Sequence, residues 1–369
     1  MELSISKQDL LSALSAAQGI VEKRNTMPIL SNVLLDAEEE GFTLIATDLE
    51  IGVKIRVKAK VKGKGKITIP ARKLFDLVRE LPDQDVKLKT SENNRVEISV
   101  GKFRSQIAGL AADEFPNLPA YEEGKFLTVE SKALSEMLGR TSYAVSTDET
   151  RYNLNGIYFE KLDGGKKLRL VATDGHRLAM VDRAVEGLGK SWGDKGIIVP
   201  RKAVGELKKL LDQTEKIELS FQKNHGIARA GDTVLLMQLI DGEFPKYEQV
   251  IPAKTDEKLT VSRASLLASL RRVSLVSDDR SHMVRLALSK GGLTLEADSM
   301  GVGEASEELP AEYGGKELTI GFNAKYLADA IGSLTASDVQ VDFVDEVNPA
   351  IIRGAGEEGA LAVIMPMRI

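Results

Sequence analysis

Asp174 and His176 stand two residues apart in the string V-A-T-D-G-H-R-L-A (171–179), and no pair in this chain is better placed for acid–base or metal chemistry. A working site would need more than two groups. The other histidines, His225 and His282, are distant in sequence, and no paired carboxylates, nucleophile–base pair or metal-ligand cluster recurs at a useful spacing. Asp174-Gly175 is also a turn dipeptide, so the simpler expectation is a hairpin turn with His176 lining a surface. Gly63-Lys64-Gly65-Lys66 resembles a phosphate loop in composition but lacks the G-x-x-x-x-G-K-[ST] spacing, and it is expected to be a hairpin tip. The chain has no cysteine, which removes thiol catalysis, thiolate zinc, iron–sulfur clusters and disulfides. The sequence therefore predicts a binding protein with no cofactor and no metal, and not an enzyme.

The elements that would carry such a function come in three copies. Leu3-Ser4-Ile5-Ser6 recurs as Leu127-Thr128-Val129-Glu130 and Leu259-Thr260-Val261-Ser262, after 124 and then 132 residues. Ile45-Ala46-Thr47-Asp48 recurs as Val171-Ala172-Thr173-Asp174 and, more weakly, as Leu295-Glu296-Ala297-Asp298. Ile67-Thr68-Ile69-Pro70, Ile197-Ile198-Val199-Pro200 and Leu318-Thr319-Ile320-Gly321 each precede a helical pattern, and a Glu-Phe-Pro closes the first two copies (114–116 and 243–245). Shared order at near-constant spacing predicts three similar domains, 1–122, 123–254 and 255–369, with linkers near 117–125 and 252–258. Each copy has two helices. The first opens at Ser6, with Asp9 completing a capping box, carries Leu10, Leu14 and Ala17 on one face, and ends at Gly19. The others are expected at 71–81, 131–143, 201–211, 262–276 and 324–334. Alternating segments such as 54–61, 95–100, 216–221 and 339–344 predict antiparallel strands with one wet face, giving an α+β class.

Charge is divided between these layers. The six predicted helices carry +8 between them while the chain carries −5, which leaves −13 for everything else. One basic layer in a threefold repeat points to a polyanion facing the helices and repelled by the rest, the alternative being that each basic helix face is simply solvated. An acidic chain is a poor candidate for coating duplex DNA tightly. No apolar run approaches the ~18 residues needed to cross a bilayer, so a soluble cytoplasmic protein without membrane contact is expected.

The strings T-L-I-A-T-D-L-E (43–50), I-P-A-R-K (69–73), R-Y-N-L-N-G (151–156), V-A-T-D-G-H-R-L-A, V-P-R-K (199–202), G-E-F-P-K-Y (242–247) and V-I-M-P-M-R-I (363–369) resemble the bacterial DNA polymerase III β subunit, the sliding-clamp family, over the whole chain. The resemblance implies a head-to-tail homodimer whose six similar domains close a ring, with helices lining the hole and strands outside. Twelve helices about 10 Å apart close a circle of about 120 Å, hence an axis-to-axis diameter of about 38 Å. Subtracting one helix width leaves an opening of about 28 Å. A duplex about 20 Å wide passes through it without a fixed register.

The resemblance also implies two sets of site residues. Those meeting DNA are Arg24, Arg72, Lys73, Arg201 and Lys202, with a loop holding Asp148, Tyr152 and Asn153. Asp148 is an acid and Asn153 an amide where well-known members have an amide and an aromatic. Those accepting a short apolar peptide between the second and third domains are Leu154, Thr173, Gly175, His176, Arg177, Leu178, Pro245, Val250, Asn323, Tyr326, Val347, Val363, Met365, Pro366, Met367 and Arg368. Flexible Met and branched aliphatic side chains suit a promiscuous groove, whereas composition alone favours an ordinary buried final strand over 363–367. Implied partners are duplex DNA, a second copy of the chain, the clamp loader, the catalytic subunit of the replicative polymerase with its 3'-5' exonuclease complex, other polymerases, and mismatch-repair and ligase proteins. The rivals are a nuclease whose basic helices guide DNA to a carboxylate site, and a threefold-repeat adaptor that binds proteins without encircling DNA.

Overall fold

A computed structural model describes residues 1–21, 27–123, 126–188 and 195–369. The chain divides into two compact units, chiefly Met1–Lys132 with Lys202–Leu239, and Ala133–Gly189 with Ile240–Ile369. Among the described residues there are six α-helices: α1 (Lys7–Gln18), α2 (Ala71–Glu80), α3 (Ser131–Thr141), α4 (Arg201–Leu211), α5 (Arg263–Val273) and α6 (Ala324–Gly332). All described strand pairs are antiparallel.

The first unit holds two sheets. One has five strands, in the order Lys60–Gly63, Glu2–Ser6, Asp85–Thr90, Arg95–Val100 and Phe103–Ala108. The other has eight, and its middle is the pairing of Ile51–Lys58 with Thr233–Gln238, Leu235 opposite Val53. A strand of the first repeat thus hydrogen-bonds directly to one of the second, and the sheet runs on across the expected border. Burial alternates as the sequence pattern requires: Val53, Ile55 and Val57 point into the core, and Lys54, Arg56 and Lys58 point to water.

The second unit repeats the arrangement. Its nine-stranded sheet crosses from the second repeat to the third where Arg177–Ala184 pairs with Ala360–Ile364. Its four-stranded sheet runs Gly303–Pro310, Gly292–Ser299, Met283–Ser289, Leu318–Asn323. The helices bury a 3.6-residue stripe, Ala71, Leu74 and Val78 in α2 and Ala324, Leu327, Ala330 and Ile331 in α6. Each buried Leu contributes about 1.5–3 kcal/mol, so the layers adhere through these stripes and the polar faces stay wet.

Of the predicted capping box the Ser6 cap is present, the Asp9 amide donating to the Ser6 hydroxyl (3.1 Å), while the Asp9 carboxylate accepts from that hydroxyl (2.6 Å) in place of the Ser6 amide. Helix α4 has the expected bounds, whereas α3, α5 and α6 end two or three residues early, the first two passing into short 3-10 turns at Ser142–Ala144 and Ser274–Val276. Two expectations are corrected. Gly19 closes α1 with φ −72°, so it is not a left-handed cap. A Cβ there would lie 2.3 Å from the Glu206 carboxylate of α4, the movable end of a flexible side chain, so backbone packing does not demand glycine either. Residues 54–66 are not one strand and a hairpin tip either. Ile51–Lys58 lies in the eight-stranded sheet, Lys60–Gly63 pairs with Glu2–Ser6, and Gly65–Pro70 returns to pair with Asn32–Glu38. The alternation runs unbroken through a change of sheet, which periodicity cannot register.

Candidate functional site

The string around His176 folds as a tight turn between strands Lys167–Thr173 and Arg177–Ala184, with Thr173 opposite Leu178. The Asp174 carboxylate accepts the His176 and Arg177 amides (2.9 and 3.1 Å), and the Thr173 hydroxyl donates to the Arg177 carbonyl (2.7 Å) and accepts the Gly175 amide (3.1 Å). Gly175 has φ +89°, a conformation that calls for glycine, and the tip of Arg151 lies over it, 2.7 Å from where a Cβ would stand. Asp174 is thereby engaged in building the turn, and the expected hairpin, not an acid–base pair, is what forms.

Around this turn the second unit gathers most of the predicted groove. Leu178 pairs with Val363 across the sheet, and both are buried with Val171 and Tyr247. Beyond the last strand the tail is tied down twice, by the Met365 amide on the His176 carbonyl (3.0 Å) and the Met367 amide on the Gly321 carbonyl (2.8 Å). Met365 nevertheless keeps 39% of its surface exposed. The ring of Tyr326 lies 6.4 Å from that of His176, nearly parallel, and Asn323 caps α6 through the Tyr326 amide (3.2 Å).

The segment carrying Pro245 and Val250 is pinned to the sheet by aromatic anchors. Phe244 stacks on Tyr158 with centroids 4.8 Å apart, and the Tyr247 hydroxyl donates to Glu160 (2.6 Å) and accepts from Arg169 (3.1 Å). Arg169 in turn makes a bidentate pair with Asp182, both contacts 2.7 Å. Burial pushes the Tyr247 phenol far above its ordinary range, so it stays neutral. With Tyr247 buried and Phe244 half-buried, Pro245 and Val250 are left exposed. Leu154 is buried at the end of the 3-10 turn Glu149–Leu154, and the Asn153 amide donates to the Glu243 carbonyl (3.0 Å). Val347 lies exposed in a turn built by Asp345, Pro366 is half-buried and Arg368 exposed, and none of the three side chains forms a hydrogen bond among the described residues.

The basic set divides. Arg72 and Lys73 occupy the first turn of α2, both exposed and without an ion pair among the described residues, as is Arg201 at the start of α4. Lys202 differs: its ammonium pairs with the Asp48 carboxylate, whose side chain is 3% exposed. That pair anchors α4 to the turn after Gly41–Thr47, so Lys202 is half-committed to structure. Other helix cations are likewise paired, Arg140 with Glu357 and Lys209 with Glu206, each at 2.7 Å. Arg24 lies outside the described residues. Tyr152 is exposed. Asp148 caps the 3-10 turn, accepting the Thr150 amide (3.0 Å) and hydroxyl (2.6 Å), bonds that hold its carboxyl below the usual range. Its charge serves the loop's own backbone.

Three participants escaped the sequence reading: Arg151, which donates to the Asp174 carbonyl (3.3 Å) over Gly175, and Tyr143 and Asp329, which hold Arg177. Arg151 opens the R-Y-N-L-N-G string and could have been picked from it, whereas nothing in the sequence ties Tyr143 or Asp329 to the site. Among the described residues no group of three or more His, Asp or Glu stands ready to hold a metal, and no helix is long and apolar enough to cross a membrane.

Comparison with known proteins agrees with this geometry along the full length. Three profiles of the DNA polymerase III beta subunit match in order, the N-terminal domain over residues 1–119, the central domain over 128–246 and the C-terminal domain over 248–368. The beta sliding clamp of Caulobacter vibrioides is 37% identical and that of Escherichia coli 33%, each with 100% of both chains covered. A crystal structure of the Caulobacter crescentus beta sliding clamp superposes with a TM-score of 0.95 at 36% identity, covering 100% of this chain and 99% of that one. A Bartonella birtlesii sliding clamp bound to griselimycin does so at 0.95 and 38%, with both chains fully covered. Three tandem domains of helix and antiparallel sheet, matched end to end, place this chain in the DNA polymerase III beta subunit family, the sliding clamps.

Proposed function

We propose that two copies of this chain close head to tail into a ring around duplex DNA and act as a non-catalytic processivity factor in the cytoplasm. Peptides of the replicative polymerase, the clamp loader, other polymerases and mismatch-repair and ligase proteins dock in the groove beside His176. Tethering raises the local concentration of a polymerase at the primer, so a released enzyme rebinds before it diffuses away. DNA meets Arg72, Lys73 and Arg201, with Arg24, Tyr152 and Asn153 alongside, through phosphate contacts that carry no register and permit sliding.

The observation that carries ring closure is a pair of open sheet edges of opposite charge. Phe103–Ala108 is the outermost strand of the five-stranded sheet and carries Arg104 after Lys102, while Gly303–Pro310 is the outermost strand of the four-stranded sheet and carries exposed Glu304 and Glu308. An uncovered edge is a template for another strand, and complementary charge selects its partner. One edge belongs to the N-terminal domain and the other to the C-terminal, so pairing them between two copies gives a head-to-tail closed dimer.

Light scattering at several concentrations tests closure, with twice the chain mass expected and a monomer counting against it. Retention on nicked circular plasmid after loading, lost on linearising, tests encirclement. A protein that binds partner peptides but is never retained would be the adaptor, and cleavage of DNA by the pure protein would support the nuclease.

A further inference from the structure

We propose that the third repeat supplies a phosphate-binding pocket of its own between helices α5 and α6, and that the backbone of the encircled duplex fills it. The proposal rests on the encirclement reading above and adds a contact that the family resemblance does not assign. The pocket, about 160 Å³, is bordered by Arg271, Ser274, His282 and Lys325 beside the buried Leu270 and Ala324. That is far more than the ~30 Å³ share of one water, so a phosphate group has room. No acid among the described residues lines it. The side chains of Arg271, His282 and Lys325 are exposed and have neither an ion pair nor a hydrogen bond among the described residues.

Position in the repeat singles Lys325 out. It is the second residue of α6, as Arg72 is of α2 and Lys202 of α4. Lys202 is tied to Asp48, whereas the acid one turn beyond Lys325, Asp329, holds Arg177 instead (2.7 Å). Helix α5 shows the same selection. Arg263 donates to the Ala336 carbonyl (3.0 Å) and Arg272 to Glu307 (3.0 Å), which leaves Arg271 as the α5 arginine without a partner among the described residues. His282 is set at the head of α6 by its backbone, its carbonyl accepting the Ala324 amide and its amide donating to the Asp278 carbonyl, each at 2.8 Å. Its φ of +49° is one that few residues other than glycine adopt, and these two bonds hold it. The Asp278 carboxylate is itself occupied by the Arg280 and Ser281 amides (3.0 Å each). Two cations, an imidazole and a hydroxyl thus border one opening with their charge uncompensated, a donor set that suits a phosphodiester. Such a contact carries no base information, so successive phosphates exchange through it as the ring slides.

The test uses the full-length protein, the double variant Arg271→Gln with Lys325→Gln, Lys325→Gln alone, and Lys290→Gln as a control cation on an exposed turn between two strands of the same domain. Inorganic phosphate is titrated while the histidine ring signals are followed by NMR. The chain has three histidines, so His176 and His225 serve as internal controls. His282 alone is expected to shift, and the double variant should lose that shift. Anisotropy of a labelled linear duplex is read from about 50 to about 200 mM salt. The double variant should bind at least about threefold more weakly, with a log–log salt slope shallower by about 1 for each protomer. Lys325→Gln should show a smaller loss in the same direction, which keeps the test decisive if Arg271→Gln disturbs the fold, and Lys290→Gln should show none. A His282 signal that phosphate does not move overturns the proposal. So does an equal loss in Lys290→Gln, which would reduce the pocket to general charge. A phosphate shift with an unchanged duplex slope would assign the pocket to a free phosphorylated ligand and overturn the DNA assignment. A wild-type protein that bound no duplex would defeat the encirclement reading alone, and the His282 signal would still decide whether the pocket takes a phosphate group.

Discussion

Replacing Glu357 by Gln should destabilise the second unit by an amount that depends on pH in a predictable way. Glu357 accepts from Arg140 (2.7 Å) and from the Thr335 amide (3.3 Å) and hydroxyl, with side chains of Arg140 and Glu357 only 11% and 19% exposed. Burial alone would raise its carboxyl, but these bonds outweigh burial and the group titrates at about 2 instead of its ordinary 4.5. At about 1.4 kcal/mol per pH unit that shift caps the contribution at about 3.4 kcal/mol, and solvent screening of a pair that still touches water brings the expectation to about 2. The folded value lies below the unfolded one, so the contribution is fully present above pH 4.5 and is lost as pH falls toward 2. Urea unfolding followed by circular dichroism at pH 7 and pH 3 should show the variant less stable by about 2 kcal/mol at the first and by less than half of that at the second. A gap that persists undiminished at pH 3, or is missing at pH 7, would refute the reasoning.

Removing residues 365–369 should abolish peptide binding while leaving the dimer mass unchanged, because the deleted tail belongs to the proposed groove and to neither of the strands proposed to form the seam; undiminished affinity in a titration would contradict the groove assignment. Charge reversal at Arg72, Lys73 and Arg201 should impair loading onto circular DNA by about tenfold with little change in melting temperature. Lys202→Met should instead lower stability by about 1–3 kcal/mol, since it strands buried Asp48; equal behaviour of the two groups in a melting experiment would dissolve that distinction. Arg104→Glu should turn the dimer to monomer at micromolar concentration, and a dimer that survives in light scattering would move the seam elsewhere.

Much of the fold was open to reading because it repeats. Three copies of one strand–helix pattern, with Ser6 capping α1 and the Pro70 and Pro200 landmarks preceding α2 and α4, are local facts of composition and period, and local physics decides them. The groove residues were named in another way, through the family resemblance of the strings at 171–179, 242–247 and 363–369, and not from local composition or period. Which groups those residues hold could be read in neither way. Arg177 meets Asp329 across 152 residues and Lys202 meets Asp48 across 154, separations at which no pattern in a single chain records a contact. The sheet change at Ala59 escaped because alternation looks the same on either side of it. Lys202 shows the difference most plainly. Composition and order along the chain made it one more basic residue on a helix, and only the folded chain, by placing a buried carboxylate beneath it, turned part of that charge inward.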